Sequence, residues 1–320
     1  MKNFALIGAS GYIAPQHMRA IKDTGNDLVA AFDINDSVGV MDNYFSQASF
    51  FVEFERFDRY IDKLKGKQNK IDYISITSPN HLHDSHVRFA LRQDADAICE
   101  KPLVLNPHNL DMLKIIESET RGKVFNILQL RLHPSIIALK ERVECELTNN
   151  PDKIFDVELT YLTSRGKWYF ISWKGDNDKS GGIATNIGIH FFDMLSWIFG
   201  DVKESEVHIK KEDVNAGFMQ LKHARVSWFL SVNADYIPEP VKASGQRTYR
   251  SITVNGHDLE FSTGFTDLHT KSYKQVLQGN GFGLEEARKS IEIVSDIRNK
   301  TAVINNDNLH PFTYNVIKNA

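Results

Sequence analysis

Phe4-Ala5-Leu6-Ile7-Gly8-Ala9-Ser10-Gly11-Tyr12-Ile13-Ala14-Pro15 opens the chain and governs how the rest is read. An apolar run ends in glycine, and a proline follows where a helix would begin. A buried strand over Phe4–Ile7, a tight turn at Gly8 and a helix entered through Pro15 account for all three features. Proline costs nothing in a first helical turn, where its missing N–H would have no partner anyway. Small residues after Gly8 let the main chain approach a pyrophosphate, whose charge is favoured at the helix N-terminus. The full G-x-G-x-x-G pattern is absent, because Ser10 and Ile13 stand where glycines would be. Taken alone, the stretch also fits an ordinary glycine turn.

Outward from this stretch, apolar runs alternate with amphipathic segments. Leu28–Phe32, Ile71–Ile76, Ala97–Cys99 and Val124–Leu130 read as strands; Pro15–Asp23, Phe57–Leu64, His83–Gln93 and Pro107–Thr120 read as helices. Strand–helix repetition with apolar strands predicts a parallel sheet covered on both faces, a doubly wound α/β domain. The second half is patterned differently. In Asp156–Leu162 apolar residues alternate, with Val157, Leu159 and Tyr161 on one face. Val207–Lys211, Gly217–Lys222, Arg225–Val232 and Ser251–Val254 are further strand candidates. Asn255-Gly256 supplies the positive-φ pair of a type I′ turn between Ile252–Val254 and Asp258–Phe261. A second α/β domain with a large, mainly antiparallel open sheet is expected. Two helices are expected to close the chain, the last carrying Leu284, Ala287, Ile291, Val294 and Ile297 in one stripe. The domains are placed at 1–130 and 131–320.

The whole chain has 320 residues, with 42% hydrophobic and 25% charged residues, ordinary values for a globular protein. Its 38 basic and 41 acidic residues leave a net charge of -3, so no excess of cations is present to track a nucleic acid. Two cysteines in no C-x-x-C arrangement argue against a disulfide framework or a structural zinc site and favour a reducing, cytoplasmic setting. The absence of a long apolar run predicts no membrane span.

Several residues carry chemistry. Asp33 follows the second strand, 25 residues after Gly8, where a carboxylate accepts hydrogen bonds from adenosine ribose hydroxyls. It would repel a 2′-phosphate, so NAD is expected rather than NADP. Thr77-Ser78-Pro79-Asn80-His81-Leu82-His83 follows a strand, in a loop class that lines the ligand crevice of such sheets. The spacing of His81, His83 and His86 does not suit a metal, and none is expected. Glu100-Lys101-Pro102 ends another strand, and Lys101 is placed to hold a hydroxyl and help move a proton. Read as one helix, Asn186, His190 and Asp193 share a face after Gly181-Gly182. His190 suits proton removal near neutrality, with Asn186 beside it. The blander readings are a surface lysine at a strand end and a core histidine.

Together, the Gly8 loop, Thr77–His83, Glu100-Lys101-Pro102 and the Gly181-Gly182…Asn186…His190…Asp193 segment resemble the Gfo/Idh/MocA oxidoreductases. Many members of that family carry aspartate where this chain has Asn186. The resemblance implies hydride transfer at a sugar carbinol served by Lys101, His190 and Asn186. It also implies an NAD site at Gly8, Ser10, Gly11, Tyr12, Ile13, Asp33, Ser78, Asn80, His83, Glu100 and Lys101, and a homo-oligomer, dimer or tetramer. Segments 128–136, 165–176, 242–256 and 264–273 resemble the branch of the family that oxidises C3 of UDP-N-acetylglucosaminuronate for surface polysaccharide. Such a substrate carries a diphosphate and a carboxylate. Arg131, Arg165, Lys167, Arg247 and Arg250 are candidate cations for it, arginine pairing bidentately with either group. Tyr169, Trp173 and Tyr249, with Trp168, are candidate stacking surfaces, alongside Asn186 and His190. Action on a free sugar or inositol, a glycosidase with transient oxidation at C3, and a non-catalytic NAD-binding regulator stay open.

Overall fold

The computed structural model describes residues 1–259 and 267–318. Two compact units divide the chain: Met1–Leu132 with Thr266–Arg288, and His133–Phe265 with Lys289–Ala320.

In the first unit strands and helices alternate: β1 (Asn3–Ile7), α1 (Ala14–Asp23), β2 (Asp27–Phe32), β3 (Ser49–Phe51), α2 (Phe54–Leu64), β4 (Tyr73–Ile76), α3 (His83–Arg92), β5 (Asp96–Cys99), α4 (Pro107–Glu119) and β6 (Val124–Asn126). The sheet order is β3-β2-β1-β4-β5-β6, parallel throughout. The chain order reverses between β1 and β4, which is where doubly wound sheets bind ligands, outside the carboxyl ends of the strands. Phe4, Ala5, Leu6 and Ile7 are fully buried, as expected of a strand covered on both faces. The run Val124–Leu130 is only partly a strand. β6 stops at Asn126, whose side-chain amide donates to the Cys99 and Glu100 carbonyls, and Gln129–Leu132 coils into a 3-10 turn. A short edge strand such as β3 is too brief to announce itself by periodicity.

The second unit contains α5 (Pro134–Asn149), β7 (Phe155–Thr163), α6 (Trp168–Ile171), α7 (Asn177–Ser180), α8 (Ile189–Phe199), β8 (Val202–Lys210), β9 (Val214–Leu221), β10 (Ala224–Ser231), α9 (Glu239–Ala243), β11 (Thr248–Val254) and β12 (His257–Asp258). Its sheet order is β12-β11-β7-β10-β9-β8. Neighbours are antiparallel except β7 and β10, so the sheet is mixed though mostly antiparallel. Asn255 and Gly256 both have positive φ, 52° and 75°, as the predicted hairpin requires. Glu260 and Phe261 of its expected second strand, and residues 264–266 of the segment 264–273, lie outside the described residues.

One face of this sheet packs on α8: Phe155 meets Phe199, Tyr161 meets Phe191 and Trp228 meets Phe192. The opposite face gathers Leu162, Ile209, Val214, Ala216 and Phe229, with Phe312 and Val316 packed on them. Those two belong to a helix that closes the chain. After β12 come α10 (Leu268–Leu277), α11 (Leu284–Asn299) and α12 (Pro311–Lys318). The predicted stripe of α11 is buried, but α11 is not last; α12 follows and covers part of the second sheet face. α10 belongs to the first unit, where Tyr273 and Val276 join Phe4, Leu6 and Met18 in one apolar cluster.

Candidate functional site

The turn after β1 forms as its glycine demands. Gly8 has φ of +94°, and a Cβ there would lie 2.6 Å from the Ser78 nitrogen and the Thr77 carbonyl carbon. Only glycine lets the β1 and β4 loops approach this closely. The Gly8 N–H donates to the Phe32 carbonyl, and the Thr77 hydroxyl donates to the Ile7 and Gly8 carbonyls, so three strand ends are tied together. The N–H groups of Tyr12 and Ile13, ahead of α1, make no main-chain hydrogen bond, and the Tyr12 side chain is almost fully exposed. Unbonded donors at a helix N-terminus form an anion cradle. Ser10 and Ile13 are tolerated in place of glycines: the Ser10 N–H turns to the Asp33 carboxylate at 2.9 Å, while Ile13 stands just before α1. Asp33 also accepts from the Asn35 N–H at 2.9 Å, which fixes its carboxylate beside the loop. Cradle, close-packed glycine and carboxylate together fit a dinucleotide with an unphosphorylated 2′-hydroxyl.

The loop after β4 is organised by its histidines. The buried His83 ring stands 2.8 Å from the Ser78 carbonyl and 2.6 Å from the Pro102 carbonyl, tying this loop to the turn after β5. His86 Nδ1 lies 2.8 Å from the Ser78 hydroxyl and its ring stacks on Phe54, whereas His81 is exposed. These three histidines therefore do not converge. Asn80 is buried at the start of a 3-10 turn that precedes α3.

The strand ends before Glu100, and Lys101 stands half-buried in the following turn. Glu100 is 7% exposed, and its Oε1 accepts from His17 Nε2 and His269 Nε2, each at 2.9 Å. Its Oε2 accepts the Lys101 main-chain N–H at 3.2 Å. Burial alone would push the Glu100 carboxyl up; the two imidazole donors hold it well below the usual range. His17 and His269 were not singled out from the sequence. They lie 252 positions apart, and His17 reads as one more residue on the buried face of α1.

In the second unit the Gly181-Gly182 segment leads into a π turn over Ala184–Gly188, followed by α8. One uniform helix was expected; single π turns of this kind recur at functional sites. Asn186 and His190 are half-buried, but Asp193 is turned into the interior at 1% exposure, so the three do not share a solvent-facing stripe. Asn186 donates its side-chain amide to the Tyr169 hydroxyl at 3.0 Å, joining two residues chosen independently from the sequence. Lys174 sits over the Trp173 and Trp168 rings, 4.9 and 5.6 Å from their centroids.

The remaining candidates separate. Arg250 lies over Tyr161, on the face that carries α8, while its neighbour Tyr249 stacks towards Phe312 on the opposite face. Alternation along β11 forces this, so the pair cannot line one pocket. Arg165, Lys167 and Arg247 are exposed. Arg131, expected among the second-half cations, falls in the first unit, buried over the Phe282 ring and donating to the Glu286 carbonyl. Among the described residues no helix is long and apolar enough to cross a membrane.

Comparisons with known proteins give the family and the fold. A family of oxidoreductases with an NAD-binding Rossmann fold matches residues 2–127, and the C-terminal alpha/beta domain of the same family matches 152–314. The glucose-6-phosphate 3-dehydrogenase of Bacillus subtilis is 26% identical over 211 residues, covering 62% of this chain and 54% of the relative. The D-glucoside 3-dehydrogenase of Escherichia coli is 25% identical over 201 residues, 61% of this chain and 53% of the relative. The matched stretch thus spans about half the length of these curated relatives. Among solved structures, the WlbA (WbpB) dehydrogenase from Thermus thermophilus in complex with NAD and UDP-GlcNAcA is 50% identical with a TM-score of 0.93, covering 98% of this chain and 100% of that one. The WlbA dehydrogenase from Bordetella pertussis, with NADH and UDP-GlcNAcA, shares the fold at a TM-score of 0.73 and 19% identity, over 92% of this chain and 94% of that one.

Proposed function

The chain belongs to the Gfo/Idh/MocA oxidoreductase family, and on that premise we propose that it oxidises the C3 hydroxyl of UDP-N-acetylglucosaminuronate to the 3-keto sugar with NAD. The observation that carries the proposal is the near-complete match, at 50% identity, to a dehydrogenase crystallised with that cofactor and sugar nucleotide. Two curated relatives named as 3-dehydrogenases support C3 as the position.

NAD, when bound, supplies the hydride acceptor. The Tyr12 and Ile13 N–H groups hold its pyrophosphate and Asp33 its adenosine ribose; Gly8, Ser10, Gly11, Ser78, Asn80, His83, Glu100 and Lys101 shape the remainder of its site. Lys101 donates to the substrate hydroxyl and stabilises charge developing on that oxygen. His190 takes the hydroxyl proton, and Asn186, oriented by Tyr169, holds the same group. Arg165, Lys167 and Arg247 are the exposed cations suited to diphosphate and carboxylate, and Trp173 and Arg250 complete the substrate set.

The enzyme works as a homo-oligomer in the cytoplasm, in the synthesis of a diacetamido uronic acid for lipopolysaccharide O-antigen. The same Thermus relative also crystallises with alpha-ketoglutarate, which supports return of the hydride to a 2-keto acid. Incubation with UDP-N-acetylglucosaminuronate and NAD, with and without alpha-ketoglutarate, tests the proposal. A nucleotide product two mass units lighter is expected, with 2-hydroxyglutarate in the second arm. Turnover of glucose or inositol but of no UDP-sugar would shift the reading to a free-sugar enzyme. NAD binding without turnover of any of them would shift it to a regulator.

A further inference from the structure

Three buried histidines from three helices surround the turn that carries Lys101. His17 of α1 and His269 of α10 meet the Glu100 carboxylate, and His83 of α3 meets the Pro102 carbonyl. Behind His17 the donors run in one direction. With Nε2–H of His17 given to Glu100, its Nδ1 accepts the Tyr273 hydroxyl at 2.7 Å. The Tyr273 oxygen in turn accepts the Ser75 hydroxyl at 2.6 Å. Tyr273 thereby selects the His17 tautomer that can donate to Glu100. Burial lowers the His17 pKa, against the pull of Glu100, so a neutral donor is the favoured form. Glu100 spends its second oxygen on the Lys101 main chain. The ligand atoms of His17, Glu100 and His269 lie within 4.8 Å of one another. Hydrogen bonds at ordinary lengths account for that clustering without a metal.

We propose that the chain Ser75–Tyr273–His17–Glu100, joined by His269, is a positioning device: it fixes the main chain at Lys101 and so sets the reach of that ammonium group. The inference rests on the role given to Lys101 in the proposed function. It goes beyond that role by assigning a task to a buried network that runs back to the fully buried Tyr273. Packing alone does not need the Tyr273 hydroxyl, since its ring already stacks on Phe4.

A double-mutant cycle with Tyr273→Phe and Lys101→Ala, under single-turnover conditions, provides the test. Tyr273→Phe is expected to lower the rate about tenfold in the wild-type background and to have little further effect once Lys101 is alanine. Equal losses in both backgrounds would overturn the inference, because a merely structural defect is blind to Lys101. A second readout uses the cofactor-free protein. Acetylation of Lys101 relative to Lys22, followed by peptide mass spectrometry, is expected to change in Tyr273→Phe and unchanged labelling counts against the device. If Lys101→Ala turns over at the wild-type rate, the catalytic role of Lys101 falls and the labelling result alone judges the positioning. Should Tyr273→Phe fail to fold, Ser75→Ala, which removes the far end of the chain, takes its place in both measurements.

Discussion

Replacing Asp33 by asparagine isolates what its charge does. The carboxylate accepts the Ser10 N–H and the Asn35 N–H, each at 2.9 Å and one on each oxygen. An amide offers one oxygen, so one N–H is left facing an NH2 group. Water reaches this half-buried site, and the expected destabilisation is about 1 kcal/mol, a shift of about 2 °C in Tm. Cofactor choice should move further. A unit charge and a 2′-phosphate about 6 Å apart repel by about 3 kcal/mol per charge at an effective dielectric near 20. Solvent and salt screening leave about 1–2 kcal/mol, or roughly 5- to 30-fold in the ratio of NADP to NAD affinity. Calorimetric titration of both dinucleotides into wild-type and Asp33→Asn protein measures that ratio, and raising the salt should shrink the difference. A folded variant with an unchanged ratio would refute the assignment of Asp33 to the ribose.

Three further outcomes are expected. His190→Asn should lower kcat by about 100-fold or more, the usual range for lost general-base help, while NADH affinity measured by fluorescence stays the same; near wild-type turnover would remove His190 from the role. Gly8→Ala forces a Cβ to 2.6 Å from main-chain atoms at a φ of +94°, so both Tm and NAD binding should fall, and a variant that binds NAD normally would contradict the close approach of the β1 and β4 loops. Burial, with smaller contributions from His83 and His81, pulls the His86 pKa from 6.5 down to about 4. The unfolded chain then binds the extra proton first, so this stability is complete above pH 6.5 and is withdrawn as pH falls towards 4, on the order of 3 kcal/mol in all. Urea titrations of wild type and His86→Phe at pH 7 and 4.5 check this, and an equal loss in both proteins would count against it.

Much of the first unit was legible because parallel strands buried on both faces are written as continuous apolar runs, and glycine punctuates them where only glycine fits. Five of its six strands were visible that way; β3 was too short to be seen, and the strand order emerged only from the fold. The misreadings have local causes. β6 ends at Asn126 because the chain coils into a 3-10 turn at Gln129–Leu132, which an apolar run does not distinguish from a strand. The π turn before α8 inserts an extra residue that spacing rules for a regular helix cannot foresee, and it changes how Asn186 lines up with His190 and Asp193 of α8. In β11 Tyr249 and Arg250, both named as substrate candidates, are sent to opposite faces by the two-residue period.

The linear order of residues was enough to place the glycine turn after β1, Asp33 beyond β2 and Lys101 beyond β5, because each position depends on a strand end and the few residues beyond it. Side-chain partnerships drawn from distant positions were settled by folding alone. Glu100 is held by His17 and His269, and Asn186 by Tyr169, since hydrogen bonds act over about 3 Å of space whatever the separation along the chain. Nothing in the local pattern around His269 marks it as a neighbour of the strand that ends at Cys99; that contact exists because α10 returns to pack on the first sheet.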